Sequence, residues 1–395
     1  MTRHFQPPRR LLMGPGPSMV HPRVLQAMTT PLLGHLDPLF LDVMNEIQTL
    51  LRKVFATTNR FTIALSGTGS AGMEAAVVNL VEPNDSVIVG VNGIFGARLA
   101  SVVERCGGHA IRLDVPWGDV IQPETVASAL QKFAPVKAVV LVHAETSTGA
   151  WQPIEAIASL CRDSNALLIV DAVTSLGGVP VQVDQWGIDV CYSATQKCLS
   201  CPPGLAPITL SDRALSAITH RRHPCQSWYL DLSLILDYWT EHNRAYHHTA
   251  PISMLYALRE ALRLIEEEGL PARFARHRLN SRALVEGLKA LGFHSLPQPQ
   301  AQLPTLICVT IPSHIDEGSV RSQLLTRCGI EIGGGLGQLK GKVWRIGLMG
   351  ESSTEANVLT FLNAVEEIGI RERWVTTPGA ALQAASQVYS GGQEP

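Results

Sequence analysis

Ile188-Asp-Val-Cys-Tyr-Ser-Ala-Thr-Gln-Lys197-Cys-Leu-Ser-Cys-Pro-Pro-Gly204 opens as a short apolar run and closes as a loop. Ile188–Tyr192 reads as a strand. The small residues that follow carry the chain to Lys197, and Pro202-Pro203-Gly204 can continue neither a strand nor a helix. A lysine in such a strand-end loop can be desolvated, which lowers its pKa and frees it as an amine nucleophile. Taken alone, the same residue is an ordinary surface lysine. What separates the two readings lies upstream.

From Phe61 to about Leu210 the sequence alternates. Apolar runs at Phe61–Leu65, Ser86–Val91, Ala138–Val142, Ala166–Val170 and Ile188–Tyr192 read as strands. Helical stretches near 70–81, 96–106, 123–132 and 154–163 separate most of them. This pattern predicts an α/β fold, a mostly parallel sheet covered on both faces. Ligands of such sheets bind beyond the carboxyl ends of the strands, so the polar residues after each run are the ones to inspect.

After the first run comes Ser66-Gly-Thr-Gly-Ser-Ala-Gly-Met-Glu74. Glycines opening a helix make an anion cradle, because free backbone N–H groups and the helix dipole point outward there. The spacing is also G-x-G-x-x-G, but a dinucleotide fold wants an acidic residue closing the next strand, and that strand ends Gly90-Val-Asn-Gly93. A phosphate cradle is favoured over a merely tight helix start. In Asn92-Gly-Ile-Phe-Gly96 the aromatic Phe95 is either core or a plate for a planar ligand. His143-Ala-Glu-Thr-Ser-Thr-Gly149 is a hydroxyl-rich loop. Asp171 closes the run Ala166–Val170, where a buried carboxylate needs a positive partner. With Lys197 at the end of the neighbouring run, these are the parts that hold pyridoxal phosphate. The lysine binds the aldehyde, the carboxylate keeps the pyridine nitrogen protonated, an aromatic stacks, and the phosphate sits at a helix N-terminus.

Beyond Leu210 the alternation weakens. Ile252 to Glu268 reads as a long amphipathic helix and Arg273 to Leu291 as another. Strands at Thr305–Ile311, Gly329–Ile332 and Lys342–Leu348, with helices near 316–327 and 354–368, suggest a terminal α+β domain. The expected organisation is an arm at 1–10, a large domain at 11–268 and a small domain at 269–395. Arg345 stands mid-strand among apolar neighbours, and a buried arginine wants a carboxylate, from a substrate or from an internal salt bridge. Asp37-Pro38 starts a helix, and His35 just before it reads as structural. Adjacent His247 and His248 have no third ligand in sight, so no metal is expected. Cys198 and Cys201 form a lone C-x-x-C, which is weak grounds for zinc. The tail from Thr377 reads as frayed.

The bulk numbers fit an enzyme of this kind. A 46% hydrophobic chain of 395 residues can bury a sizeable core, and a net charge of −2 gives no drive toward nucleic acid or anionic membrane. No apolar run approaches a membrane span, and no signal-peptide core follows the N-terminus, so cytoplasm is the default.

With these residues in hand, the sequence resembles the class V, fold-type I pyridoxal-phosphate aminotransferases, in particular their alanine–glyoxylate (serine–pyruvate) branch. The resemblance covers about Leu11 to Ile370. It rests on Gly14-Pro-Gly-Pro17, Ser66-Gly-Thr-Gly69, Asn92-Gly-Ile-Phe-Gly96, Glu145-Thr-Ser-Thr-Gly149, Val170-Asp171, Thr195-Gln-Lys197, Tyr246-His-His-Thr249, Gly333-Gly-Gly-Leu-Gly337 and Lys342-Val-Trp-Arg345-Ile-Gly347. It implies a seven-stranded large domain, with Lys197 holding the cofactor and then moving the substrate proton. Asp171 would pair with the pyridinium, Phe95 stack on the ring and Thr146 face the ring hydroxyl. Thr68, Gly69, Ser70 and Gln196 would hold the phosphate, although some relatives have histidine at the position of Ser70. Tyr246 and Thr249 would be phosphate ligands lent across a homodimer, and Arg345 would hold the substrate carboxylate. The implied reaction moves an amino group from L-alanine or L-serine to glyoxylate. The alternatives are a ureidoglycine–glyoxylate type of the same fold and, behind it, a lyase or cysteine desulfurase. Desulfurases typically stack histidine where this chain has Phe95.

Overall fold

A computed structural model describes residues 6–240 and 244–391. The central sheet has seven strands: β1 (Phe61–Ser66), β2 (Ser86–Val91), β3 (His109–Asp114), β4 (Ala138–Val142), β5 (Leu167–Asp171), β6 (Val190–Tyr192) and β7 (Leu205–Leu210). Their spatial order is β1-β7-β6-β5-β4-β2-β3. Strands β6, β5, β4, β2 and β3 run parallel, and β7 is antiparallel to both its neighbours. Residues such as Ile63, Val89, Val140, Ile169 and Val190 are fully buried, as expected for strands covered on both faces.

Two of these strands go beyond the sequence expectation. His109–Asp114 forms the exposed edge, and its polar residues blunt that edge at the cost of the apolar signal that would reveal it. Leu205–Leu210 contains Pro207, which argues against an internal strand. The structure tolerates it because the Pro207 carbonyl accepts from the Ser193 N–H (2.8 Å), one residue past the end of β6. The missing donor therefore costs one hydrogen bond beside the end of β6, and the Thr195 N–H to Leu205 carbonyl bond (3.2 Å) carries the pairing on.

Helix α1 (Pro38–Phe55) is capped by Asp37, whose Oδ1 accepts from the Leu39 N–H at 2.9 Å. Helices α2 (Gly69–Val78) and α3 (Ile94–Arg105) follow β1 and β2 directly, so their N-termini stand at the carboxyl edge of the sheet. Helices α4 (Ile252–Glu268) and α5 (Leu270–Ala290) lead to a second sheet of β8 (His294–Ser295), β9 (Leu306–Thr310), β10 (Gly333–Gly334) and β11 (Val343–Gly347). Its order is β8-β9-β11-β10, and every pair is antiparallel. The segment expected at Gly329–Ile332 is not part of it. Ile330–Glu331 instead pairs in parallel with Leu11–Leu12, and Met13 is buried in the same core as Phe293, Trp344 and Phe361. The tail is not frayed as expected: Ala380–Gly391 is a helix, α6, whose Ala381 and Ala385 are buried. The Tyr389 hydroxyl donates to Asn280 Oδ1 on α5 at 2.9 Å. Among the described residues no helix is long and apolar enough to cross a membrane.

Candidate active site

Asp171 is the last residue of β5 and Lys197 lies in the loop after β6, the neighbouring parallel strand. Asp171 is 2% exposed. Its Oδ1 accepts from the Val173 N–H (2.8 Å) and its Oδ2 from the Tyr192 hydroxyl (2.7 Å). Burial pushes its pKa up to about 6; the two hydrogen bonds and the Lys197 charge oppose the shift, and the charge of Glu145 adds to it. Burial acts on Lys197 in the other direction and lowers its pKa to about 8, with Arg345 contributing to the lowering. The Lys197 amine donates to the Pro15 carbonyl. Gly16 permits that approach, because a Cβ there would lie 2.8 Å from Nζ.

A cavity of about 210 Å³ joins these groups. Thr68, Gly69 and Ser70, at the start of α2, line it. Thr68 is the cap residue and makes no side-chain cap hydrogen bond, so the first-turn N–H groups have no capping side chain from Thr68. Phe95 and Val173 line its walls, with Met73, Val142 and Ala144. Thr146 also lines it, its hydroxyl 2.6 Å from that of Thr174. Gln196 completes the lining, with its side-chain oxygen buried and without a hydrogen-bond partner. Of the residues expected from sequence, Lys197, Asp171, Thr68, Gly69, Ser70, Phe95, Thr146 and Gln196 therefore share one cavity.

Arg345 lies beside it on β11. Its Nε donates to the Gly334 carbonyl (2.8 Å) and its Nη1 to the Thr146 carbonyl (3.3 Å). It is 6% exposed, and among the described residues it forms no ion pair. Burial lowers its pKa. An internal salt bridge, the competing expectation, is thus not what holds this guanidinium.

Tyr246 and Thr249 are the two expected residues that do not reach the cavity of their own chain. Both are exposed, with the Tyr246 ring 5.1 Å from that of His35. Neighbouring His248 bonds Ser66 Oγ through Nε2 (2.6 Å) and His247 through Nδ1 (2.8 Å). Cys198 is buried and donates to the Thr174 carbonyl, which fits packing around the lysine turn.

Tyr192, Val173, Pro15 and Glu145 are site residues that sequence reading passed over. Tyr192 is hidden inside an apolar run, and Pro15 is 182 residues from the lysine it meets. Glu145 lay within a loop read for its hydroxyls.

The residues present fit pyridoxal phosphate. A depressed-pKa amine and a buried carboxylate flank a slot walled by an aromatic and an aliphatic side chain. Gln196, whose amide oxygen has no partner, lines the same cavity as the N-terminus of α2, where an anion is favoured. Fold and site together define a mostly parallel α/β domain whose strand-end cavity fits an aldehyde cofactor. Residues 11–349 match the aminotransferase class-V family, and the chain belongs to it. That family uses pyridoxal phosphate.

The chain is 44% identical to the (S)-ureidoglycine–glyoxylate transaminase of Bacillus subtilis (strain 168), covering 98% of this chain and 97% of the relative. A crystal structure of ureidoglycine–glyoxylate aminotransferase from Bacillus subtilis superimposes with a TM-score of 0.95 over 98% of this chain and 100% of that one. The alanine–glyoxylate aminotransferase of Rattus norvegicus is 40% identical, over 93% of this chain and 89% of the relative. The crystal structure of an alanine–glyoxylate aminotransferase from Nostoc sp. is 49% identical, with a TM-score of 0.91, covering 93% of this chain and 97% of that one.

Proposed function

We propose that this protein is a pyridoxal-phosphate-dependent transaminase that moves an amino group from a donor amino acid to glyoxylate. The products are glycine and the 2-oxo acid of the donor. The observation that carries the chemistry is the convergence of Lys197, Asp171, Phe95 and the start of α2 on one cavity, with Arg345 beside it. The acceptor is supported by the activity named for the relatives.

For the donor, (S)-ureidoglycine has better support than the L-alanine or L-serine expected from the sequence. The Bacillus enzyme matches over nearly the full length of both chains. L-alanine is the second reading, favoured by the 49% identity to the Nostoc enzyme.

When bound, pyridoxal phosphate supplies an electron sink for the charge left at the donor Cα. This chain's residues supply the rest. Lys197 would hold the cofactor aldehyde covalently and, once released, take the proton from the donor Cα. A pKa of about 8 suits an amine that must both accept and return a proton near neutral pH. Asp171, ionised above about pH 6, would keep a proton on the pyridine nitrogen. Thr68, Gly69, Ser70 and Gln196 would hold the phosphate, Phe95 the ring face and Thr146 the ring hydroxyl. Arg345 would orient the donor carboxylate and so set which Cα bond faces Lys197. Tyr246 and Thr249 would reach the partner's phosphate in a homodimer.

The test is a donor panel with glyoxylate as acceptor and glycine as readout. (S)-Ureidoglycine should give a kcat/KM at least about tenfold above L-alanine and L-serine. A higher value for L-alanine would establish the second reading, and no glycine from any donor would overturn both.

A further inference from the structure

Glu145 is fully buried, yet nothing in the proposed chemistry uses it. Its Oε1 accepts from the N–H (3.0 Å) and the hydroxyl (2.5 Å) of Ser147. Its Oε2 accepts from the N–H groups of Phe95 (3.1 Å) and Gly96 (3.3 Å). All four neighbours are donors, so both oxygens act as acceptors and no partner accepts a proton from the side chain. Two of the donors belong to the first turn of α3, where negative charge is favoured. Ser147 Oγ also accepts from the Ile94 N–H (3.0 Å), which closes a ring between residues 145–147 and the helix start. Gly93 leaves the room required: a Cβ there would lie 2.3 Å from Glu145 Cδ.

The groups joined in this way come from separate elements. Phe95 stands on α3, Thr146 follows Glu145 in its loop, and the Thr146 carbonyl accepts from Arg345. A shift of the Glu145 carboxylate would therefore move the aromatic wall, the cavity hydroxyl and the guanidinium relative to one another.

We propose that Glu145 is a positioning residue that fixes the Phe95 ring against Thr146 and Arg345, so that ring plate and carboxylate clamp keep one geometry. The inference rests on the pyridoxal-phosphate reading of the cavity. Glu145→Gln tests it with little change of shape. A glutamine offers one acceptor oxygen and a donating NH2, so either the helix N–H pair or the Ser147 N–H must face another donor.

The experiment reconstitutes wild type, Glu145→Gln and Ser147→Ala with pyridoxal phosphate. It reads the visible circular dichroism of the bound cofactor and the cofactor Kd by quenching of protein fluorescence. The Tm of the cofactor-free proteins serves as a folding control. Glu145→Gln should lose at least about half of the dichroic band and raise Kd about tenfold. Ser147→Ala should shift both in the same direction by less, and it carries the test if Glu145→Gln does not fold. Wild-type dichroism and Kd in the folded variants, whatever their Tm, would overturn the inference alone. Wild-type protein that takes up no pyridoxal phosphate would overturn the functional reading and this inference with it.

Discussion

Burial acts in opposite senses on Lys197 and Asp171. It lowers the amine to about 8 and raises the carboxyl to about 6. A lysine whose folded value lies below its ordinary one gains free amine as pH rises through the lower value. Covalent capture of pyridoxal phosphate by the cofactor-free protein should therefore reach half its maximal rate near pH 8. A stopped-flow pH series checks this, and a midpoint above 10 would mean that Lys197 is not desolvated. Both residues were legible in the sequence, because polar residues at or soon after the end of an apolar run in a parallel sheet lie at its carboxyl edge. Glu145 was not, since its donors Phe95 and Gly96 lie about 50 positions away. A hydroxyl-rich loop does not announce that its carboxylate turns back onto a helix. Tyr192 was obscured in the same way, as an aromatic in a run that reads simply as core.

Among the elements, β1, β2, β4, β5 and β6 were legible from their apolar runs and the rest only in part. The edge strand β3 and the proline-bearing β7 lack the pattern of a buried strand, and the terminal helix α6 was read as a frayed tail. The Gly14-Pro-Gly-Pro17 stretch was visible as a motif but not as a neighbour of Lys197. At Gly16 φ is +111°, and the missing Cβ leaves the space that the lysine fills. Gly16→Ala should cost about 1–3 kcal/mol of stability from the backbone alone. It should also lower the fraction of protein carrying covalent cofactor, read from the visible absorption band. Full cofactor loading in a folded Gly16→Ala protein would show that the close approach does not matter. Arg273, from the first turn of α5, donates to the Gly177 carbonyl (2.9 Å), the Cys198 carbonyl (2.7 Å) and Glu268 (2.6 Å). One buried guanidinium thus ties the loops after β5 and β6 to the junction of α4 and α5, which no periodicity in the sequence reveals.

For the whole molecule, the exposed residues are the informative ones. Tyr246 is 59% exposed, Trp228 63% and Leu39 66%, a set of large apolar side chains of the kind a second subunit covers. Subunit mixing tests the proposed homodimer and its shared sites. Lys197→Ala subunits and Tyr246→Ala/Thr249→Ala subunits should each be nearly inactive. Unfolded and refolded together, they should recover up to about a quarter of wild-type activity, because half the protein forms hybrids with one intact site each. No recovery, with hybrids shown to form, would place Tyr246 and Thr249 outside the partner's site. Whether Lys197 carries the cofactor is tested most directly by borohydride reduction of the protein loaded with pyridoxal phosphate, followed by peptide mass spectrometry. A phosphopyridoxyl group is expected on the peptide containing Lys197 and none in Lys197→Ala. A label on another lysine, or the same label in the Lys197→Ala protein, would contradict it.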